Sequence, residues 1–286
     1  MNEEDFKVLV AIEHGMARHE YVPLEYIAKV TNFTDDKLDM ILRKLHRLGL
    51  IQRNKGPYIG YVLTTFGYDS LALRALVKRG VLERISADPI GVGKEADIYE
   101  GVTPSGEVVA VKFHRIGRVS FRNPRRVRTY VGDRRHISWL YMSRLSAQRE
   151  YEALVLVHQH GVKAPRPIAH NRHVVVTEKI EGVPLFEVPP LEDPEDVMYQ
   201  VIENVKLAYT RAGVVHGDLS EFNVLVTVEN GREVPVIIDW PQWVPSIHPS
   251  AESLLRRDIE NIVRFFRRKY NLRVDVEEII KQVTQG

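Results

Sequence analysis

The chain reads as α+β in two parts: a small helical unit closed by a hairpin, then a strand-rich lobe that gives way to a helical one. Three observations predict this. Apolar residues at helical spacing recur between Phe6 and Leu48, and two short extended runs follow across Asn54-Lys55-Gly56-Pro57. Asp88-Pro89 then breaks the pattern. Beyond it come β-branched runs at Val108–Val111, Val174–Val176 and Val236–Ile238, before helical spacing returns.

Composition bounds the rest. With 286 residues, 44% of them hydrophobic, there is enough apolar chain for two cores. No apolar run reaches the roughly 18 to 20 residues of a membrane span. The acidic start Met1–Asp5 does not read as a signal peptide, so a soluble, cytoplasmic protein is expected. The absence of cysteine excludes disulfides, thiolate catalysis and Cys-based zinc sites. A net charge of +2 is too small to argue for nucleic-acid binding unless charge is clustered.

A first helix spans Phe6 to Ile12. A second opens at Val22-Pro23-Leu24, with Pro23 expected in its first turn. Thr34 caps a third, whose first turn holds Asp35 and Asp36 and whose buried face is Leu38, Ile41, Leu42, Leu45 and Leu48. Gly49 ends it. The hairpin from Leu50 to Thr64 completes the order of a winged helix, with Lys37, Arg43, Lys44 and Arg47 expected on the outer side of the third helix. With Arg53 and Lys55 of the wing, Arg43, Lys44 and Arg47 are candidates to meet a nucleic-acid backbone. A helix from Thr65 to about Leu82 links this unit, residues 1–84, to the rest, residues 85–286.

In the second part, Gly91-Val92-Gly93-Lys94-Glu95-Ala96 is a glycine-rich turn between strands, where backbone N–H groups can approach phosphate oxygens. Val108-Val109-Ala110-Val111-Lys112 is an alternating strand ending in a lysine that needs an anionic partner. On the next helix, Trp139 to about His158, Glu150 and Glu152 are the candidates. Glu150 is preferred because Leu154, four residues on, places it on the core face. Between strand and helix lies a block from His114 to His136 with Arg115, Arg118, Arg122, Arg125, Arg126, Arg128, Arg134 and Arg135 against the single acid Asp133. Arginine in that density suits phosphate, so RNA or a ribonucleoprotein is the expected contact, with a flexible solvated loop as the alternative.

Val174–Glu178 runs into a polar connector, 178–182, placed like a hinge that offers the C=O of Glu178 and N–H of Ile180 to adenine. His216-Gly217-Asp218-Leu219-Ser220-Glu221-Phe222-Asn223, with Ile237-Ile238-Asp239 a hairpin later, is the centre of the chain. It supplies one candidate base, Asp218, and two oxygen ligands for Mg, Asn223 and Asp239. Together with Lys112 and Glu150 this is a phosphoryl-transfer set in a minimal two-lobed, protein-kinase-like domain: N-lobe 85–177, hinge 178–182, C-lobe 183–286. His216 lacks metal-ligand spacing and is expected to brace the loop. The terminal stretch from Ser253 to Gly286 is expected to be helical.

The glycine-rich turn, His216–Asn223, Ile238-Asp239-Trp240-Pro241-Gln242 and Arg257-Asp258-Ile259 resemble the RIO family of atypical serine/threonine protein kinases, and the winged helix resembles its second subfamily. That resemblance implies ATP and Mg (Mn as a possible substitute) and action in maturation of the small ribosomal subunit. It also implies a glycine-rich loop, Lys94 and Glu95 included, over the triphosphate, and Ser120 in the arginine-rich loop as a self-phosphorylation site. Trp-Pro follows Asp239 in place of Phe-Gly and no Ala-Pro-Glu appears, so a peptide-binding activation segment is not expected. An ATPase switch, through a phospho-Asp239 intermediate, is therefore expected to outweigh peptide transfer. The alternative is a nucleotide-sensing RNA-binding scaffold with little turnover.

Overall fold

The computed structural model describes residues 1–54, 56, 58–117 and 139–285. The N-terminal unit contains α1 (Glu3–Gly15), β1 (Val22–Pro23), α2 (Leu24–Thr31), α3 (Asp35–Arg47), β2 (Ile51–Asn54) and β3 (Gly60–Leu63). The strands form an antiparallel sheet in the order β1-β3-β2. Asn2 and Asp5 cap α1 reciprocally, each side chain accepting from the other's backbone N–H. Val8, Leu9, Ile12, Ile27, Leu42 and Leu45 meet beneath the sheet as one apolar core.

Three expectations need correction here. Leu48, expected on the buried face of α3, is its C-cap residue and is exposed, because the helix ends one residue before it. Pro23 is not in the first turn of α2: it is the N-cap residue and pairs with Gly60 on an edge strand, where its missing N–H costs nothing. Lys37 and Lys44 do not face outward with Arg43 and Arg47. Lys37 pairs with Glu4, and Lys44 reaches the buried Asp5 at 2.6 Å. The reason is electrostatic: a carboxylate as buried as Asp5 needs a cation, and α3 supplies it.

α4 (Thr65–Lys78) starts where Thr64 Oγ1 accepts the Gly67 N–H. A Cβ on Gly67 would stand 2.1 Å from the Leu50 carbonyl oxygen, so only glycine lets α4 lie this close to the wing. The helix belongs to two cores at once. Tyr68 and Leu71 pack into the N-terminal unit. Ala72 and Leu76, with Leu82, pack against Val109, Val111 and Val176 of the next sheet. It ends earlier than expected, because Gly80 turns left-handed at φ +68.

That sheet contains β4 (Arg84–Ile85), β5 (Gly91–Val92), β6 (Ala96–Val102), β7 (Val108–His114), β8 (Pro167–Asn171) and β9 (Val174–Glu178). Its order is β4-β6-β7-β9-β8, antiparallel throughout, with β5 also on β6. α5 (Trp139–Gln159) crosses between this sheet and the helical lobe. That lobe has β10 (Val183–Pro184), α6 (Pro194–Thr210), β11 (Val214–Val215), β12 (Val224–Glu229), β13 (Arg232–Ile237), β14 (Val244–Pro245), α7 (Ala251–Tyr270) and α8 (Val276–Thr284).

β12 and β13 form a two-residue hairpin whose Asn230 and Gly231 both take positive φ, the geometry that twists with the strands. The terminal stretch is two helices rather than one, because Asn271 ends α7 in the left-handed region. Among the described residues, no helix is long and apolar enough to cross a membrane.

Candidate active site

Strand alternation positions Lys112. Val109, Val111 and Phe113 of β7 are buried toward α4, so Lys112 projects from the opposite face into the cleft between the lobes. Its Nζ lies 2.7 Å from Glu150 Oε1 and 2.6 Å from Asp239 Oδ1. Glu150, not Glu152, makes this contact; Glu152 sits on the exposed side of α5. Burial works against the Glu150 carboxylate, but the Lys112 ammonium and His114 outweigh it and hold its pKa down to about 2. His114 Nε2 lies 2.7 Å from Glu150 Oε2, although off the line of a hydrogen bond.

Asp218 and Asn223 lie on one loop. Asn223 Nδ2 donates to the Asp218 carbonyl at 2.8 Å, which leaves its Oδ1 turned away from that bond. The Ile238 N–H donates to the Asn223 carbonyl at 2.9 Å, which sets Asn223 beside the strand end carrying Asp239. Asp239 itself takes φ +68, an uncommon conformation for a residue with a Cβ and one that clusters at functional sites. The Asp218 side chain opens to solvent, yet the cleft walls desolvate its carboxyl and the Asp239 carboxylate repels its charge, so its pKa is raised.

The loop is held from beneath by residues whose partners the sequence did not reveal. Asp258 of α7, buried, accepts the Gly217 N–H at 2.7 Å and the Leu219 N–H at 3.0 Å. Burial raises its pKa to about 7 against the pull of those two N–H groups. An aspartate on the apolar stripe of Leu255, Ile259 and Ile262 was the available signal, because a buried carboxyl needs donors. Gly217 has φ +80, and a Cβ there would meet the Gln242 carbonyl oxygen at 2.8 Å. His216 Nδ1 accepts from the Asp218 N–H, and Nε2 faces the Ile238 carbonyl at 3.0 Å, which assigns the neutral, Nε2-protonated ring. Burial lowers its pKa, in keeping with that form.

Gly91 and Val92 pair with Ile98 and Asp97, and the Gly93 N–H closes the glycine-rich turn on the Ala96 carbonyl at 2.8 Å. Val92, Gly93, Lys94 and Glu95 are exposed above the cleft. At the connector, the Glu178 side chain accepts the Arg166 N–H at 2.8 Å, while Ile180 is half-buried beside Lys179, which pairs with Glu100 at 2.8 Å.

On the winged helix Arg43, Arg47 and Arg53 are exposed, Arg43 pairing with Asp39 at 2.8 Å within its own helix. Lys55, Ser120, Arg118, Arg122, Arg125, Arg126 and Arg128 lie outside the described residues.

The donor set fits Mg better than a transition metal. No cluster of three or more His, Asp or Glu residues that could hold a metal occurs among the described residues. Mg, by contrast, needs only one or two protein oxygens beside phosphate and water. Asn223 Oδ1 and the Asp239 carboxylate would supply them, next to a lysine placed for phosphate oxygens.

Comparisons with known proteins show the family. The RIO domain matches residues 97–279, and the Rio2 N-terminal domain matches residues 1–79. The chain is 41% identical over 279 residues to the RIO-type serine/threonine-protein kinase Rio2 of Methanocaldococcus jannaschii, covering 94% of this chain and 100% of that protein. It is 38% identical to the serine/threonine-protein kinase rio2 of Schizosaccharomyces pombe, covering 96% of this chain and 79% of that one. Among solved structures it resembles the Rio2 kinase–ADP/Mg2+–phosphoaspartate complex of Chaetomium thermophilum. The TM-score is 0.86 at 32% identity, over 100% of this chain and 88% of that one.

Proposed function

The chain belongs to the Rio2 family of RIO-type serine/threonine-protein kinases, and we propose that it transfers the γ-phosphoryl group of Mg-ATP mainly in a slow hydrolytic cycle. The observation that carries this reading is the meeting of Lys112, Glu150 and Asp239 in one cleft beside Asp218 and Asn223. Lys112 binds the α and β phosphates, and Glu150 holds it in place. Asn223 and Asp239 hold Mg, which neutralises charge on the phosphates. Asp218, its pKa raised, accepts the proton of the incoming hydroxyl or water. The glycine-rich turn covers the triphosphate, and the connector at Glu178 and Ile180 takes the adenine.

Two features favour hydrolysis over peptide transfer. The residues between Asp239 and α7 are drawn toward α5 and β11: Arg149 bonds the Pro241 carbonyl, and β14 pairs with β11. Among the described residues that segment is folded against α5 and β11 rather than left to hold a peptide in line, and positioning supplies much of the rate in this chemistry. The Chaetomium thermophilum relative was solved with phosphoaspartate. In this chain Lys112 holds Asp239 Oδ1, which leaves Oδ2 to attack the γ-phosphorus with loss of ADP. Water then cleaves the acyl phosphate to regenerate the carboxylate and release phosphate. In this reading the cycle acts at a precursor of the small ribosomal subunit, with hydrolysis timing release, and the resemblance of the sequence motifs to the RIO family supports it. The exposed Arg43, Arg47 and Arg53 suit its RNA.

The test is acid-quench trapping of enzyme labelled from γ-labelled ATP. Label released by hydroxylamine and absent from Asp239→Asn supports the acyl phosphate; label stable to hydroxylamine rejects it. Co-sedimentation with small-subunit particles, with wild type released on ATP and Asp218→Ala retained, supports the timing role.

A further inference from the structure

α7 runs alongside the catalytic loop in register. Arg257, Asn261, Arg264 and Arg268 follow at i, i+4, i+7 and i+11, one face of the helix. Three of them touch alternate residues of the loop: Arg257 donates to the Gly217 carbonyl, Asn261 to the Leu219 carbonyl at 3.0 Å, and Arg268 to the Glu221 carboxylate at 3.2 Å. Arg257 lies near enough to Asp218 for its charge to act on that carboxyl. Arg264 sits between Asn261 and Arg268, exposed to solvent.

Away from the loop, Arg264 and Arg268 are under-neutralised. Among the described residues, neither Arg257 nor Arg264 forms an ion pair. Arg268 pairs with Glu221, but 69% of its side chain remains exposed. Asp218 and Asp258 face Arg257 at the loop end of the ledge, whereas Glu260, farther along, belongs to the Arg256–Glu277 cluster. Nor is the face covered by the chain preceding α7, because that segment is taken up by Arg149 and β11. The result is an open, positive ledge starting at the loop of the candidate base.

We propose that this ledge selects the phosphoacceptor segment: a serine or threonine flanked by acidic residues, whose carboxylates meet Arg257, Arg264 and Arg268. Helical rise sets the span from Arg257 to Arg268 at about 16 Å. An extended peptide covers that with about five residues. Guanidinium groups bind carboxylates through paired N–H donors, which gives direction as well as attraction. An acidic flank therefore compensates, weakly, for the missing peptide groove, and draws the acceptor hydroxyl toward Asp218. The inference rests on the reading of Asp218 as the base.

The experiment measures fluorescence anisotropy with the full chain, Mg and a non-hydrolysable ATP analogue at low salt. The probes are an octapeptide with one serine among aspartates, its asparagine counterpart, and an oligoribonucleotide of equal charge. The acidic peptide is expected to bind at least about tenfold tighter than the neutral one. Arg264→Ala with Arg268→Ala should bring that ratio close to one, and Arg264→Glu should reverse it, with analogue affinity and melting temperature unchanged. Equal binding of both peptides by wild type, or a preference that survives the double variant, overturns the proposal. Tighter Arg264-dependent binding of the oligoribonucleotide also overturns it, assigning the ledge to nucleic acid. Asp218→Asn separates the two readings: it should lose phosphoryl transfer while keeping the acidic preference.

Discussion

Arg149 and Trp243 hold each other from both ends. The Arg149 guanidinium donates to the Trp243 carbonyl and stacks over its ring at 5.0 Å, while the Trp243 indole N–H donates to the Arg149 carbonyl at 2.9 Å. Because Arg149 adjoins Glu150 and Trp243 follows Asp239 closely, this pair ties the helix that positions Lys112 to the segment that positions the metal ligand. Arg149→Met should keep the stem packing and lose the tie. Turnover is expected to fall about tenfold and stability by about 1–2 kcal/mol, the scale of lost charge-assisted hydrogen bonds. Steady-state kinetics beside urea unfolding checks both.

Among the described residues, Asp258 is the only acceptor for two buried N–H groups of the catalytic loop, Gly217 and Leu219. Asp258→Ala leaves both orphaned and should cost about 1–3 kcal/mol for each group left without a partner. Asp258→Asn retains one acceptor and should lie between Ala and wild type in melting temperature. An Ala variant as stable and active as wild type would show the loop to be held some other way.

The two units of the chain share a buried ionic junction. Asp69 of α4 takes Arg115 through two bonds of 2.6 and 2.9 Å, His173 lies 2.7 Å from the same carboxylate, and Arg115 also reaches Asp97 at 3.1 Å. Asp69→Ala would leave Arg115 short of a partner where little water reaches, at a cost of about 3–5 kcal/mol. With α4 belonging to both cores, wild type should unfold in one transition in a urea titration, and the variant in one or two at lower urea.

Glu150 sets a pH dependence. Its folded pKa, held near 2, is below the ordinary glutamate value of 4.5, so the native state favours the carboxylate. The corresponding stability is fully present above about pH 4.5 and is lost as pH falls toward 2. Glu150→Gln should therefore melt lower than wild type at pH 7, and the gap should narrow on acidification below pH 4.5. A gap that stays constant from pH 6 to 3 would mean the pair with Lys112 contributes no linked stability.

Local periodicity made most elements legible, and long-range pairing accounts for what was not. Alternation in Val108–Lys112 placed the lysine, and helical spacing to Leu154 separated Glu150 from Glu152, because both depend on residues near in sequence. The Asp-x-x-x-x-Asn loop and the hairpin to Asp239 were readable for the same reason. The place of Pro23 is beyond local pattern because it depends on pairing with Gly60, and that of Lys44 because its partner Asp5 lies on another helix. Arg149, Asp69 and Arg115 carry no local mark of the contacts they make. Asp258 was visible as part of a family motif, but its two backbone donors come from a loop some 40 residues earlier.

The central claim is that Asp218 takes the acceptor's proton while other groups bind the nucleotide. Single-turnover hydrolysis of Mg-ATP by Asp218→Ala, with ATP affinity measured in parallel, tests it most directly. The account predicts a loss of roughly 100- to 10,000-fold in turnover with affinity nearly kept. Turnover at the wild-type rate, or a loss explained wholly by weaker ATP binding, would contradict it.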